Sequence, residues 1–192
     1  FSMLYGIGVS VYQSLFYSGF VKAVKFSFPV ISIGNLSVGG TGKSPHIEYL
    51  IRLLNDYIHL GVLSRGYKRS TSGFLIVEPT HNAKEVGDEP GQMKNKFPEI
   101  AIAVSESRAL GIPRLIRNFP DLNLILLDDA FQHLAVKPGL NILLTEFANP
   151  YTEDYLLPSG RLREWRFGAM RADVIIVTKC PEYLTESDFK SW

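Results

Sequence analysis

Residues 34–44 read Gly34-Asn35-Leu36-Ser37-Val38-Gly39-Gly40-Thr41-Gly42-Lys43-Ser44. Glycines at that density let backbone N–H groups turn inward and approach a phosphate closely. The lysine adds a point charge for outer phosphates, and the serine hydroxyl can ligate Mg²⁺. A helix opening at this point contributes its dipole, worth about 0.3–1 kcal/mol per anion. Asn35, Gly39, Gly40, Thr41, Gly42, Lys43 and Ser44 are therefore the candidate nucleotide-binding residues. The strict phosphate-loop pattern has glycine five residues before Gly42, and Ser37 stands there instead.

Four further groups could do chemistry with such a loop. Leu124-Ile125-Leu126-Leu127-Asp128-Asp129 is an apolar run ending in two carboxylates. A carboxylate at a strand tip facing Ser44 can hold a metal or its waters, and a divalent cation would relieve the repulsion between neighbouring acids. Taken alone, it also reads as a solvated strand end. Val86-Gly87-Asp88-Glu89-Pro90 places two acids at a turn. They suit a helix cap, or a general base that takes the proton of an attacking hydroxyl. Leu63-Ser64-Arg65-Gly66-Tyr67-Lys68-Arg69 brings three cations and a tyrosine to a turn. Arg65 there can hold phosphate bidentately, or the loop is simply basic and exposed. Leu156 to Glu164, followed by Arg166 and Arg171, concentrates positive charge through Arg161 and Arg163. Phosphate, an anionic membrane surface or a solvated loop would each account for it. Gln132 and His133 follow Asp129 on the next turn.

The elements that must position these groups alternate. Short β-branched or leucine-rich runs predict strands at residues 28–33, 58–63, 74–77, 100–104, 122–127, 140–145 and 174–177. Helices are predicted at 43–55, 88–96 and 106–118, with Pro45 in a first turn where its missing N–H costs nothing. Several strands are continuously apolar rather than alternating. The expected fold is thus α/β, a phosphate-loop NTPase-like, mostly parallel sheet with helices on both faces. Ligands in such sheets bind beyond the carboxyl ends of the strands, and each group above follows a strand.

The 192 residues allow one ordinary domain, or a domain with an appendage. With 46% hydrophobic and 20% charged residues, a packed core is expected. Twenty Lys and Arg against 19 Asp and Glu leave a net charge of +1, which gives no argument for nucleic-acid binding. The single cysteine, Cys180, excludes an internal disulfide and reads as a buried, inert thiol in a reducing compartment.

Residues 1–21 carry no charged side chain, and the first charges are Lys22 and Lys25. A secretory signal lacks its leading positive charge and its cleavage site here. A membrane span is diluted by Gly6, Gly8, Ser10, Gln13, Ser14, Ser18 and Gly19. An interfacial helix suits better, with tyrosine rings at headgroup level and the lysines near anionic lipid. A helix packed on the protein is the alternative. The expected division is residues 1–27 as a membrane-associated helix and 28–192 as the core.

In order along the chain, Gly34 to Pro45, Ser64-Arg65-Gly66-Tyr67, Val86 to Pro90, Asp128-Asp129-Ala130-Phe131-Gln132-His133 and Leu157 to Glu164 resemble the tetraacyldisaccharide 4'-kinase family. The resemblance covers nearly the whole chain. It implies transfer of the γ-phosphate of ATP to the 4'-hydroxyl of tetraacyldisaccharide 1-phosphate, forming lipid IVA in lipid A biosynthesis. It implies work at the cytoplasmic face of the Gram-negative inner membrane, as a peripheral or N-terminally anchored protein, with a monomer favoured. By residue, it implies that Lys43 and Ser44 serve ATP and Mg²⁺ and that Asp88 activates the hydroxyl. Lys43 and Arg65 neutralise charge, and Asp128 and Asp129 serve the metal. Tyr67, Glu89, Arg108, His133, Arg161 and Arg163 would line the phosphate and headgroup side. Ala130 stands where many members have glycine, and Trp165 where proline is frequent. Family members are longer, so a C-terminal lobe that completes the cleft is expected beyond Trp192. A membrane-cycling regulatory ATPase would share the Gly-Gly-x-Gly-Lys-Ser loop, but its signature lysine before the double glycine is Val38 here. A nucleotide-binding module without chemistry would leave Asp88, Glu89 and the arginine loops idle.

Overall fold

The computed structural model describes residues 1–184. In chain order these form α1 (Ser2–Tyr17), β1 (Val24–Lys25), β2 (Val30–Asn35), α2 (Lys43–Leu54), β3 (Leu60–Ser64), β4 (Leu75–Ile76), α3 (Ala83–Val86), α4 (Asp88–Lys96), β5 (Ala101–Val104), α5 (Arg108–Asn118), β6 (Leu124–Asp128), β7 (Val136–Lys137), β8 (Leu140–Glu146), a 3-10 helix at Arg166–Arg171, and β9 (Val174–Thr178). Every strand expected from the apolar runs is present, shifted by up to two residues at its ends.

Seven strands share one sheet in the order β4-β5-β3-β6-β2-β8-β9. Only the edge strand β4 is antiparallel. The central strands β3, β5 and β6 are buried along their whole length. That explains their continuous apolar character, because a parallel strand covered on both faces has no solvent side to make polar. On one face Ile47 and Ile51 of α2 and Met93 of α4 pack against Ile33, Val62, Ile102 and Leu126. On the other, Ile112 and Leu115 of α5 pack against Val30, Leu63, Ile125 and Leu127. Each fully buried side chain of this size stabilises the fold by about 1.5–3 kcal/mol relative to exposure.

The parallel arrangement carries the site. The chain leaves β2, crosses by α2 to β3, and later returns to place β6 between the two. The carboxyl ends of β2, β3 and β6 therefore point the same way and lie side by side. Asn35, Ser64 and Asp128 end these three strands.

Two features depart from expectation. Residues 1–27 are not a helix alone: α1 ends at Tyr17, and β1 then pairs in parallel with β7, an unpredicted two-stranded ribbon that ties this segment to the core. Two-residue strands have no periodicity to read, so no sequence signal marked them. Cys180 is exposed rather than buried, because it follows the end of β9 at the sheet margin. The helix α1 is buried only at Gly6 and Gln13, while Met3, Leu4, Ile7, Val11 and Tyr17 are exposed. No helix of the described residues is long and apolar enough to cross a membrane.

Candidate active site

The glycine-rich loop leaves β2 and enters α2, with Gly42 in the left-handed region (φ 87°) immediately before Lys43. A non-glycine residue would be strained in that turn. The loop is braced from within: the Asn35 amide donates to the Thr41 hydroxyl at 2.7 Å, and Lys43 Nζ donates to Asn35 Oδ1 at 3.4 Å. Thr178, at the end of β9, donates to the Thr41 carbonyl at 3.0 Å.

Asp128 and Asp129 leave β6 in opposite directions. Asp128 is buried and accepts from the Ser64 hydroxyl at 2.9 Å. Its other oxygen, Oδ1, is buried without a hydrogen-bond partner. Burial, then the nearby Glu89 charge, push its carboxyl up to about 6, against the Ser64 hydrogen bond. Asp129 adopts a left-handed conformation (φ 45°), which swings its side chain toward the loop. Arg163 donates to both of its oxygens at 3.0 Å, and Lys43 lies at 3.7 Å. Burial would raise the Asp129 carboxyl, but the Arg163 hydrogen bond and charge outweigh it and hold the group below its ordinary value.

Asp88 and Glu89 occupy the first turn of α4. The capping position is Gly87, and no side chain caps this helix, so the acids are free of that duty. Both are exposed, and the Ser44 hydroxyl donates to Glu89 at 3.3 Å. The turn is held against the Ser64 to Arg69 loop by close backbone approach. A Cβ on Gly87 would lie 3.2 Å from the Gly66 Cα, and Gly87 itself has φ 92°. A second close approach seats the residues after Asp129, since a Cβ on Gly34 would meet the Phe131 Cβ at 2.6 Å.

These pieces enclose one cavity of about 580 Å³, lined by Lys43, Arg65, Tyr67, Asp88, Glu89, Asp128, Asp129 and Arg163 among others. The residues fit a nucleotide phosphate with Mg²⁺. The orphaned Asp128 Oδ1 and the raised Asp128 carboxyl are what a divalent cation would satisfy, and the Ser44 hydroxyl is the second oxygen donor.

A model of the family described as tetraacyldisaccharide-1-P 4'-kinase matches residues 1–190. The chain belongs to this family. Tetraacyldisaccharide 4'-kinases from Bacteroides thetaiotaomicron and Parabacteroides distasonis are 52% and 53% identical to it, over 98% and 99% of its residues. The chain spans about half the length of these relatives, 50% and 52% respectively. The crystal structure of "apo" form LpxK from Aquifex aeolicus in complex with ATP shares 38% identity and a TM-score of 0.85. The match covers 96% of this chain and 60% of that one. This tetraacyldisaccharide 4'-kinase family assignment leaves no place for the regulatory-ATPase alternative.

Within this family fold the expected site residues divide. Lys43, Asp88, Glu89, Asp128, Asp129, Arg65, Tyr67 and Arg163 share the cavity. Arg163 also donates to Asn35 Oδ1, so it clamps the glycine-rich loop to Asp129. Arg108 was expected on the substrate side and is instead fully buried beneath the site. It donates to the Ser105 carbonyl at 3.0 Å and the Asp128 carbonyl at 2.7 Å. Burial lowers its guanidinium to about 10, opposed by Asp128 and Asp129. Its position at the start of α5, under the tip of β6, makes it a support for Asp128. Arg161 was expected beside Arg163 but faces away from the cavity, toward Asp154 at 3.2 Å and Glu146 at 3.5 Å. Different acidic partners separate the two arginines, Asp154 and Glu146 for Arg161 and Asp129 for Arg163. His133 lies next to the cavity, under α1. Burial, then Arg108 and Arg65, lower its imidazole to about 4, so it is neutral at physiological pH.

Sequence reasoning passed over the partners that join α1 to this site. Gln13 of α1 donates to Glu164, which is buried and receives both 2.8 Å bonds from Arg171. Gln132 donates to the Asn35 carbonyl at 2.5 Å and to Glu164 at 3.3 Å. The Tyr5 hydroxyl donates to the Arg163 carbonyl at 2.9 Å, and the Trp165 indole to Ser10 at 2.9 Å. A glutamine inside an uncharged apolar segment was the available signal.

Proposed function

We propose that the protein is an ATP-dependent kinase that phosphorylates the 4'-hydroxyl of tetraacyldisaccharide 1-phosphate, the acceptor named by its family. The observation that carries this reading is the single cavity joining Lys43, Asp88, Asp128 and Arg65 at the carboxyl ends of parallel strands, beside a helix with an exposed apolar face. The Aquifex aeolicus relative was solved with ATP, which supports ATP as the donor.

The glycine-rich loop and Lys43 hold the phosphates of ATP. Asp128, Asp129 and the Ser44 hydroxyl would hold Mg²⁺, which supplies charge neutralisation on the phosphate oxygens. Asp88 is exposed in the cavity and accepts the proton of the 4'-hydroxyl, whose oxygen attacks the γ-phosphorus in line as the bond to the β–γ bridging oxygen breaks and ADP leaves. Lys43 and Arg65 stabilise the charge that develops on the transferring group. Glu89 accepts from the Ser44 hydroxyl at 3.3 Å and orients it. Tyr67 and Arg163 border the acceptor side. His133, neutral, lines the adjoining cavity beneath α1, where a sugar can be met without repelling Arg65.

The exposed apolar residues of α1 rest in the interface of the inner membrane at its cytoplasmic face, so the acyl chains stay in lipid while the headgroup enters under the helix. Residues 28–192 act as the nucleotide-binding core, and the additional length of the relatives supplies a lobe over the cleft. The test is transfer of labelled γ-phosphate from ATP to tetraacyldisaccharide 1-phosphate in detergent micelles, with this chain and with a protein extended to the relatives' length. Transfer by the extended protein is expected. ATP hydrolysis without transfer to the lipid would overturn the reading.

A further inference from the structure

We propose that the cavity beneath the C-terminal end of α1 is a phosphate-monoester subsite that receives the 1-phosphate of the acceptor disaccharide, opposite the end that is phosphorylated. This rests on the reading of the active site given above.

Three cavities adjoin one another through shared wall residues. The active-site cavity shares Arg65, Asp129 and Arg163 with a second beneath α1. That second cavity shares His133 and Leu134 with a third of about 570 Å³, which reaches the end of α1 and the β1–β7 ribbon. An acceptor lying in this trough with its 4'-hydroxyl at Asp88 directs its other sugar toward the third cavity. A kinase that acts on one end of a disaccharide 1-phosphate must also accommodate the charge on the other.

The third cavity is built for an anion. Lys25 and Lys137 are register partners on the parallel β1–β7 ribbon, and both line it. Side chains in register point to the same side, so two cations stand together, and like charges directly opposite one another destabilise a strand pair. Neither ammonium has a hydrogen bond or ion pair among the described residues. Deeper in, the Ser32 hydroxyl is buried (1% exposed) and has no partner. The Nε of Arg171 is buried and unpaired as well, although its terminal nitrogens donate to Glu164 and to the Tyr17 hydroxyl. The one carboxylate in the lining, Asp173, is turned to the Asn141 N–H at 2.8 Å. Two free ammonium groups at the rim and orphaned O–H and N–H donors inside match the three oxygens of a phosphate monoester. An acyl chain would leave the two buried donors, Ser32 and Arg171 Nε, unsatisfied. The volume exceeds that of a phosphate and leaves room for the sugar that carries it, with Phe131 in the wall.

The test compares two acceptors, tetraacyldisaccharide 1-phosphate and its analogue without the 1-phosphate, in micelles of a neutral detergent with the full-length protein. The variants are Lys25→Met with Lys137→Met, and the conservative pair Lys25→Arg with Lys137→Arg. The methionine pair is expected to lower kcat/KM for the 1-phosphate acceptor about 10–100-fold, mostly through KM, and the arginine pair to restore most of it. The same methionine pair is expected to lower use of the dephosphorylated analogue much less. An equal loss on both acceptors, or no loss on either, overturns the subsite while leaving the kinase reading intact. A selective loss that appears only after anionic phospholipid is added would assign the site to a bilayer headgroup phosphate and overturn the substrate assignment. No transfer to either acceptor by the unmodified protein would instead overturn the kinase reading, and the subsite with it.

Discussion

Two acid pairs border the cleft, Asp128 with Asp129 and Asp88 with Glu89, and the fold treats them in opposite ways. The first pair ends a central strand, where the backbone separates it: Asp128 turns inward to Ser64 and a buried support, and Asp129 turns out to Arg163 and Lys43. The second pair opens a helix on the surface, with no cap duty and one loose contact from Glu89 to Ser44. The pair in the sheet is held by buried and cationic partners. The pair on the helix stays exposed at the cleft. Adjacent acids thus acquire different environments because burial and neighbouring cations differ.

The largest effect should come from the accessible pair. Asp88→Asn is expected to lower phosphate transfer about 10²–10⁴-fold, the usual span for a general base, with ATP affinity in equilibrium binding little changed. A rate within threefold of the unmodified protein would remove Asp88 as the base and collapse the contrast between the pairs.

The fixed pair should reveal itself in stability. Arg108→Met strips the Asp128 and Ser105 carbonyls of their buried donor. It is expected to cost about 3 kcal/mol, or about 6–12 °C in Tm by thermal melt. An unchanged Tm would show that Asp128 needs no support from below.

Asp128→Asn sharpens the comparison through pH. The Asp128 carboxyl titrates near 6 in the folded protein, above its ordinary 3.8. Its contribution to stability is complete below the unfolded value and is lost as pH rises through about 6, where the buried group must ionise. With a chelator at pH 7.5 the variant should therefore melt about 2–4 °C higher than the unmodified protein, and the gap should close at pH 4.5. Mg²⁺ with ATP should reverse the order at pH 7.5 by stabilising only the carboxylate form. A gap that widens on acidification would reverse the sign assigned to this residue.

The smallest effect is reserved for Glu89→Gln. As an exposed group its replacement should change stability by about 0.5 kcal/mol or less. It also removes a charge that raises Asp128, so the pH midpoint of Mg²⁺-dependent stabilisation should move down. No movement would separate the two pairs electrostatically.

Much of this site was legible along the chain. The glycine-rich loop, its strand and its helix are local in sequence, and local backbone rules suffice to read them. The same holds for the apolar run into Asp128 and for the acids at the start of α4. Arg108 and Arg161 could not be read that way. One is a helix residue that happens to lie under a strand tip, and the other is drawn to Asp154 and Glu146 instead of the cavity, so both positions depend on packing between separate segments. The β1–β7 ribbon was invisible for a similar reason: its two-residue strands have no pattern until residue 24 meets residue 136.

By itself, then, the sequence determined an α/β chain, the order of its strands and helices, the phosphate-binding loop and the acids that face it, since each rests on periodicity or spacing within a dozen residues. Only the tertiary structure decided which acid is buried, that Arg163 joins the loop to Asp129, that Gln13 and Glu164 dock α1 on the site, and that two lysines 112 positions apart, Lys25 and Lys137, stand side by side. Those outcomes come from strand order and register, which place side chains against each other across long loops and fix both their solvation and their charge.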